Sequence, residues 1–418
     1  MIKKCAFTIC AKNYIGMAKA FEKSLHDNNQ HIDSFIFIAD ELDDSIPRTL
    51  DQNILSAKDY CNISLDEWRD MSFKYDIVEF CTSIKPFCMQ ALFAKGYEIV
   101  MYFDPDILVL DKLKPVYDAL DDCVVVVTPH QIDIDNDVPR RGGVYNLGFL
   151  GVRKSPSVER MIRWWRDRLK NNCIVDPVNG IFTDQKWMDH LPVVLDNGEL
   201  FVTRHPGLNY APWNFSERLV IEKDKKYYIR LKESENGEEF PLVFMHYSAF
   251  KYKEISEGNY NCKGSSMDNR ETALIELVRL YGKKLSEADF MEFIDLRYSY
   301  DLFSDGTQIQ YSHRRIYKRL LEEGYVFGDP FDEAGQYYKL LSRKRMLKTT
   351  VYNADRVKED KISNFDRKVW VIDQLVVILY RLVGFARLSL FARFIIRYFH
   401  LNNRARLLGG KFRNLKIK

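Results

Sequence analysis

Nowhere in these 418 residues is there an uncharged apolar run of about 18 residues, so no standard transmembrane helix is expected. The opening MIKKCAFTICAKN has two lysines but too short an apolar stretch for a secretory signal. The eight cysteines are scattered without any CxxC spacing. That excludes a zinc site built on paired cysteines and favours a reducing compartment over a disulfide framework. A strong excess of one charge is lacking too. The formal net charge of +3 neither requires nor excludes nucleic acid, and no stretch has the aromatic interleaving of an RNA-binding module. There is no internal repeat and no low-complexity segment. The first apolar run is followed by CAKNYIGM, without the glycine-rich phosphate loop expected of a nucleotidyltransferase. The expectation is a cytoplasmic globular protein, with attachment to the inner membrane face left open by its tail.

What is present is an alternation. Residues 5–10 (CAFTIC), 35–39 (FIFIA), 98–103 (EIVMYF), 123–128 (CVVVVT) and 145–152 (YNLGFLGV) read as buried strands. Residues 15–25, 76–95 and 157–170 have helical spacing. Continuous apolar strands separated by helices predict an α/β fold with a mostly parallel sheet covered on both faces. Ligands of such sheets bind outside the carboxyl ends of the strands.

EIVMYF runs into Asp104-Pro105-Asp106, and a second apolar run, ILVL, follows. Pro105 stiffens the bend that holds both carboxylates. Two carboxylates this close favour a divalent cation, and hard oxygen ligands suit Mn²⁺ or Mg²⁺. A turn or a helix cap is the plainer alternative. His246 ends the short apolar strand in PLVFMHYSAF and could supply an imidazole to the same ion, or be a satisfied core histidine. In GIFTDQKWM, Asp184 and Gln185 could face a sugar, with Asp184 the candidate base of an inverting reaction; Thr183 or Asp184 could equally cap a helix over 185–190. Asn146 follows Gly142 and Gly143 and precedes Gly148, glycines that permit close backbone approach. Lys85, before Pro86, could meet a phosphate or lie on the surface. Tyr210 and Trp213, in HPGLNYAPWN, could stack on a sugar or fill the core.

The ordered series FTICAKNY, YDIVEFCTSIKPF, YFDPDILVL, VTPH, YNLGFLGV, TDQKWM, HPGLNYAPWN and FMHYSAF resembles the nucleotide-sugar-dependent glycosyltransferases of the GT-A fold. It looks most like retaining bacterial galactosyl- and glucosyltransferases and glycogenin-type enzymes, over roughly residues 1–260. The resemblance implies a Rossmann-like GT-A domain in which Asp104, Asp106 and His246 hold Mn²⁺ or Mg²⁺ on the diphosphate of a donor, a UDP-sugar by expectation. It implies that Ala11 and Asn13 line the nucleotide pocket, with Asp40 near the base or ribose. Lys85 would face the donor, and Asn146, Asp184 and Gln185 would line the reacting sugar. The family pattern continues after its histidine with Gly and then Lys-Pro-Trp. Here the order is His246-Tyr-Ser-Ala-Phe-Lys251-Tyr-Lys253, so the phosphate-binding lysine is expected at Lys251 or Lys253.

The expected domains are a catalytic domain at 1–268, a helical module at 269–362 and a basic helical tail at 363–418. Helices are expected over 267–281, 286–299 and 312–323. From residue 365 onward twelve lysines and arginines meet only Asp366 and Asp373. The apolar run 375–399 is interrupted by Arg381, Arg387, Arg393 and Arg397. Such a tail suits an anionic membrane surface, the rest of the chain or a second copy. The function expected is transfer of a sugar to a glycan or lipid-linked glycan in surface polysaccharide synthesis. The alternatives are a nucleotidyltransferase, or a non-catalytic scaffold acting through its tail.

Overall fold

The computed structural model describes residues 2–47, 49–133, 142–233, 237–259, 272–347, 363–398, 400, 405–406 and 408. They form two compact units, Met1–Ser64 with Ile77–Ser299, and Leu65–Asp76 with Tyr300–Lys418. This partition differs from the three-segment expectation. The helix Thr272–Glu287 stays with the first unit because it buries Leu277, Val278, Tyr281 and Leu285 against Met17, Met245 and Tyr247.

The first unit is built on strands β1 (Lys4–Cys10), β2 (Asp33–Ile38), β3 (Ile54–Ser56), β4 (Ile99–Phe103), β5 (Ile107–Val109), β6 (Val125–Pro129) and β7 (Tyr145–Arg153). A seven-stranded mixed sheet has the order Leu200–Val202, β6, β7, β4, β1, β2, β3. β1, β2, β3 and β4 pair in parallel, as do Leu200–Val202 and β6. β7 runs against both its neighbours, β4 and β6. An inverted strand begins at the edge where its neighbours end. Asn146 therefore pairs with Thr128 at the finish of β6, and the Asp104 N–H donates to the Gly148 carbonyl at 2.8 Å. Outside this sheet, β5 pairs with the strand Phe244–His246, with His246 opposite Ile107.

The helix Ile15–Asn28 buries Met17, Ala20, Phe21 and Leu25 beneath the sheet. The expected helix over 76–95 is two helices, Ile77–Ser83 and Lys85–Ala94. Pro86 has no N–H to donate backward, so the ladder breaks at Ile84. Ile77–Ala94 is apolar and long enough to cross a membrane, yet 61% of it is buried in the chain, as in a core helix. The expected helix over 286–299 contracts to Phe290–Phe293. Residues 267–271 of another expected helix lie outside the described residues.

In the second unit the basic helix Tyr311–Glu322 is a clamp. Arg314 donates to the carbonyls of Ser72, Phe73 and Tyr75 at 2.8–3.0 Å, and Arg315 to that of Lys74 at 3.1 Å. These carbonyls end the helix Leu65–Lys74. Two buried guanidinium groups thus satisfy acceptors that the helix leaves unpaired. The tail forms helices Phe365–Val383 and Phe385–Tyr398, with no buried residue in either.

Candidate active site

The turn after β4 places Asp104 and Asp106 at the carboxyl edge of the sheet, and the β5 pairing brings His246 beside them. Nε2 of His246 lies 3.1 Å from Asp106 Oδ1 and 3.7 Å from Asp104 Oδ2. One ligand atom from each residue falls within 4.8 Å of the others. Two tyrosines hold the remaining carboxylate oxygens. Tyr102 donates to Asp104 Oδ1 at 2.5 Å and Tyr252 to Asp106 Oδ2 at 2.8 Å. Burial alone would lower the His246 pKa, but Asp106 and Asp104 outweigh it and hold it above the ordinary imidazole value. Burial likewise opposes ionisation of Asp106, and His246 outweighs it, holding that carboxyl below its ordinary value.

The imidazole is oriented by amides. Asn209 donates through Nδ2 to Asn146 Oδ1 at 3.0 Å and Thr128 Oγ1 at 2.8 Å. Its Oδ1 therefore faces Nδ1 of His246, at 3.3 Å. That assignment puts a proton on Nδ1, so Nε2 is the nitrogen turned to the carboxylates: it donates to Asp106 when the ring is charged, and its lone pair would be free for a cation once that proton is displaced. A pair of hard oxygens and an imidazole nitrogen so disposed fits a divalent ion of the Mn²⁺ or Mg²⁺ type. Gly148 is demanded here, since a Cβ would stand 2.4 Å from His246 Cε1.

A buried cation sits next to this triad. Lys85 donates to Asp184 Oδ2 and to the Leu147 carbonyl, both at 2.9 Å. Its Nζ is 3.9 Å from Asp104 Oδ1 and 4.2 Å above the Tyr102 ring. Burial opposes its charge, but Asp184 and then Asp104 outweigh that and raise its pKa. One cavity of about 610 Å³ is lined by Lys85, Asp104, Asp106, Asn146, Asp184 and His246, together with Ala11, Asn13, Gln185 and Trp213.

No protein-family model matches the chain. It is 27% identical over 268 residues to the uncharacterised protein YfnF of Bacillus subtilis (strain 168), across 60% of this chain and 82% of that one. Its fold is similar to that of the galactosyltransferase LgtC, solved with donor and acceptor sugar analogues. There the identity is 14%, over 67% of this chain and 96% of that one, with a TM-score of 0.35. It is similar also to the glycosyltransferase GlyE of Streptococcus pneumoniae TIGR4, 12% identical over 72% of this chain and 67% of that one, TM-score 0.35. With scores this low, the chemistry has to be read from the side chains themselves.

Most of the residues singled out in the sequence meet in the cavity; Asp40, Tyr210, Lys251 and Lys253 do not. Asp40 is buried outside its wall, where Oδ1 accepts the N–H groups of Glu41 and Ser299 at 2.9 and 3.0 Å. Lys251 is exposed and paired with Glu254 at 2.7 Å; Lys253 is exposed and paired with Asp295 at 2.9 Å. The short helix Tyr252–Ser256 turns the residue between them inward, so Tyr252 and not a lysine reaches Asp106. The cation beside the triad is Lys85. Gln185 lines the cavity, but its Oε1 already accepts from Asn146 Nδ2 and the Leu147 N–H, at 3.2 and 3.1 Å. Trp213 packs edge-to-face on the His246 ring at 5.0 Å, and its Nε1 has no partner. Tyr210 is a core residue packed on Phe215. The sequence reading missed Tyr102, Tyr252, Asn209 and Thr128 as parts of the site; only Tyr102, Thr128 and Asn209 had a place in the motif series.

Proposed function

We propose that this protein is a glycosyltransferase that moves a sugar from a nucleotide-sugar, a UDP-sugar in the first instance, to a glycan or lipid-linked glycan acceptor. The observation that carries the reading is the single cavity in which Asp104, Asp106 and His246 converge beside the buried Lys85–Asp184 pair. A divalent ion held by the triad would supply Lewis-acid neutralisation of the charge that develops on the departing diphosphate.

The chain's own residues account for the rest. The Lys85 ammonium, fixed by Asp184 and the Leu147 carbonyl, is a preorganised positive charge next to the leaving oxygens. Asp184 has both oxygens engaged, Oδ2 by Lys85 and Oδ1 by the Thr183 hydroxyl at 3.2 Å. That supports a positioning and electrostatic role over that of the free base an inverting reaction needs. In the retaining reading the departing phosphate oxygen takes the acceptor's proton. Asn146 is held between Gln185, Gly148 and Asn209 and presents a fixed amide to the sugar side. On this reading the reaction belongs to the cytoplasmic side of a membrane.

Calorimetric titration of UDP with and without Mn²⁺ tests the proposal. UDP should bind in an ion-dependent way, and Asp104→Ala/Asp106→Ala should weaken that binding by more than about 100-fold, beyond the usual effect of losing an outer-sphere partner. Ion-independent binding, or none to either protein, refutes the metal-dependent reading.

A further inference from the structure

The helices Phe365–Val383 and Phe385–Tyr398 follow one another across Gly384, whose φ is 85°. Neither buries a residue, yet both are rich in large apolar side chains. Trp370 is 61% exposed, Leu382 76%, Phe385 72% and Ile396 66%. A helix that is apolar and unburied in its own chain requires an apolar environment from outside it.

The pattern around each helix says what that environment is. At 3.6 residues per turn, Asp366, Asp373, Gln374 and Arg381 fall within about 100° of one another. Ile372, Leu375, Val376, Leu379 and Val383 occupy the opposite side, with Lys368 among them in the first turn and Trp370 and Val377 on the charged side. In the second helix Arg393 and Arg397, one turn apart, share a face opposite Leu388, Phe391, Ala392 and Ile395. Within the two helices Arg367, Lys368, Arg381, Arg387, Arg393 and Arg397 oppose only Asp366 and Asp373. The helices, of 19 and 14 residues, would be about 28 and 21 Å long, short of a hydrocarbon core of about 30 Å. Asp373 also lies mid-helix, where a spanning segment would have to bury it. In-plane seating keeps the charged side at the headgroups and lets long arginine stems reach them.

We propose that these two helices lie flat in the interface of an anionic lipid bilayer, their apolar sides among the acyl chains and their arginines on the phosphates. The claim stands apart from the donor chemistry, because no residue of the cavity belongs to these helices.

The test is co-sedimentation of the full chain with vesicles of phosphatidylcholine alone or mixed with phosphatidylglycerol, alongside light scattering in their absence. Binding should require the anionic lipid and fall with added salt. Leu375→Asp/Leu379→Asp and Arg393→Ala/Arg397→Ala should each weaken partitioning by at least about tenfold. Thermal unfolding of both variants should match the native protein, since every changed side chain is exposed. Equal binding to neutral vesicles, no binding at low salt, or a dimer that the leucine substitutions split would each overturn the proposal; the last would assign the surface to a second copy. Unchanged UDP titration in the variants separates a failure here from a failure of the donor reading.

Discussion

Lys85 and Lys251 belong to the same compact unit, and each pairs with a carboxylate, at 2.9 and 2.7 Å. Their surroundings differ. The Lys85 side chain is 5% exposed and Asp184 2%, whereas Lys251 is 53% exposed and Glu254 38%. In water two such charges are screened and their attraction is offset by the entropy of holding long side chains. Inside the protein the same two charges cannot be solvated separately, so each requires the other. Distance alone does not make a functional lysine; burial beside a second carboxylate does.

The largest effect is expected at the buried pair. Lys85→Met leaves Asp184 without its counter-charge and should cost about 3–5 kcal/mol in urea unfolding. A cost near zero would mean that Asp184 already finds another partner, and the contrast between the two lysines would collapse.

His130 sharpens the comparison from the titration side. Burial pushes its pKa down to about 4. The folded value lies below the unfolded value of about 6.5, so the unfolded chain binds more protons between the two. Its contribution is complete above pH 6.5 and is lost as the pH falls toward 4, at about 1.4 kcal/mol per pH unit at most. Native protein should lose about 2 kcal/mol more than His130→Asn between pH 7 and pH 5. Parallel pH profiles for the two proteins would contradict this.

Asn209→Leu comes next. Without the amide oxygen the imidazole proton has no assigned place, and Mn²⁺ affinity measured by electron paramagnetic resonance should drop by about 10- to 100-fold. Unchanged affinity would show that the carboxylates alone orient His246. The smallest effect belongs to the surface lysines. Lys251→Ala and Lys253→Ala should alter stability by no more than about 0.5 kcal/mol and leave UDP affinity unchanged. A lysine-specific loss of UDP binding there would restore them as donor ligands.

Some of this site could be read directly from the chain. EIVMYF followed by Asp-Pro-Asp placed two carboxylates at a strand end, because a buried strand must be apolar and its ligand edge need not be. His246 was legible for the same reason, as the polar residue that ends an apolar strand. For Lys251 and Lys253 the motif fixed spacing and not direction, and both lie exposed in ion pairs. In the short helix after Ser248–Ala249–Phe250, the residue facing the carboxylates is Tyr252. Asp40 satisfies backbone N–H groups, a role that looks the same in the chain as a strand-end aspartate that meets a ligand. The helix expected over 312–323 is present, but its spacing did not show that Arg314 and Arg315 are buried on the carbonyls of residues 72–75.

By itself the sequence determined the local pieces: which runs are buried strands, the Pro105 bend and the unequal charge of the tail. These depend on neighbours within a few residues. Only the tertiary structure decided that β7 is inverted, since a strand buried on both faces reads alike in either direction. It also decided that Asn209 turns His246 and that Lys85, among the lysines considered, stands beside Asp104. Those outcomes join residues as far apart as 99 positions, as in Lys85 and Asp184, and they depend on which charges the fold removes from water.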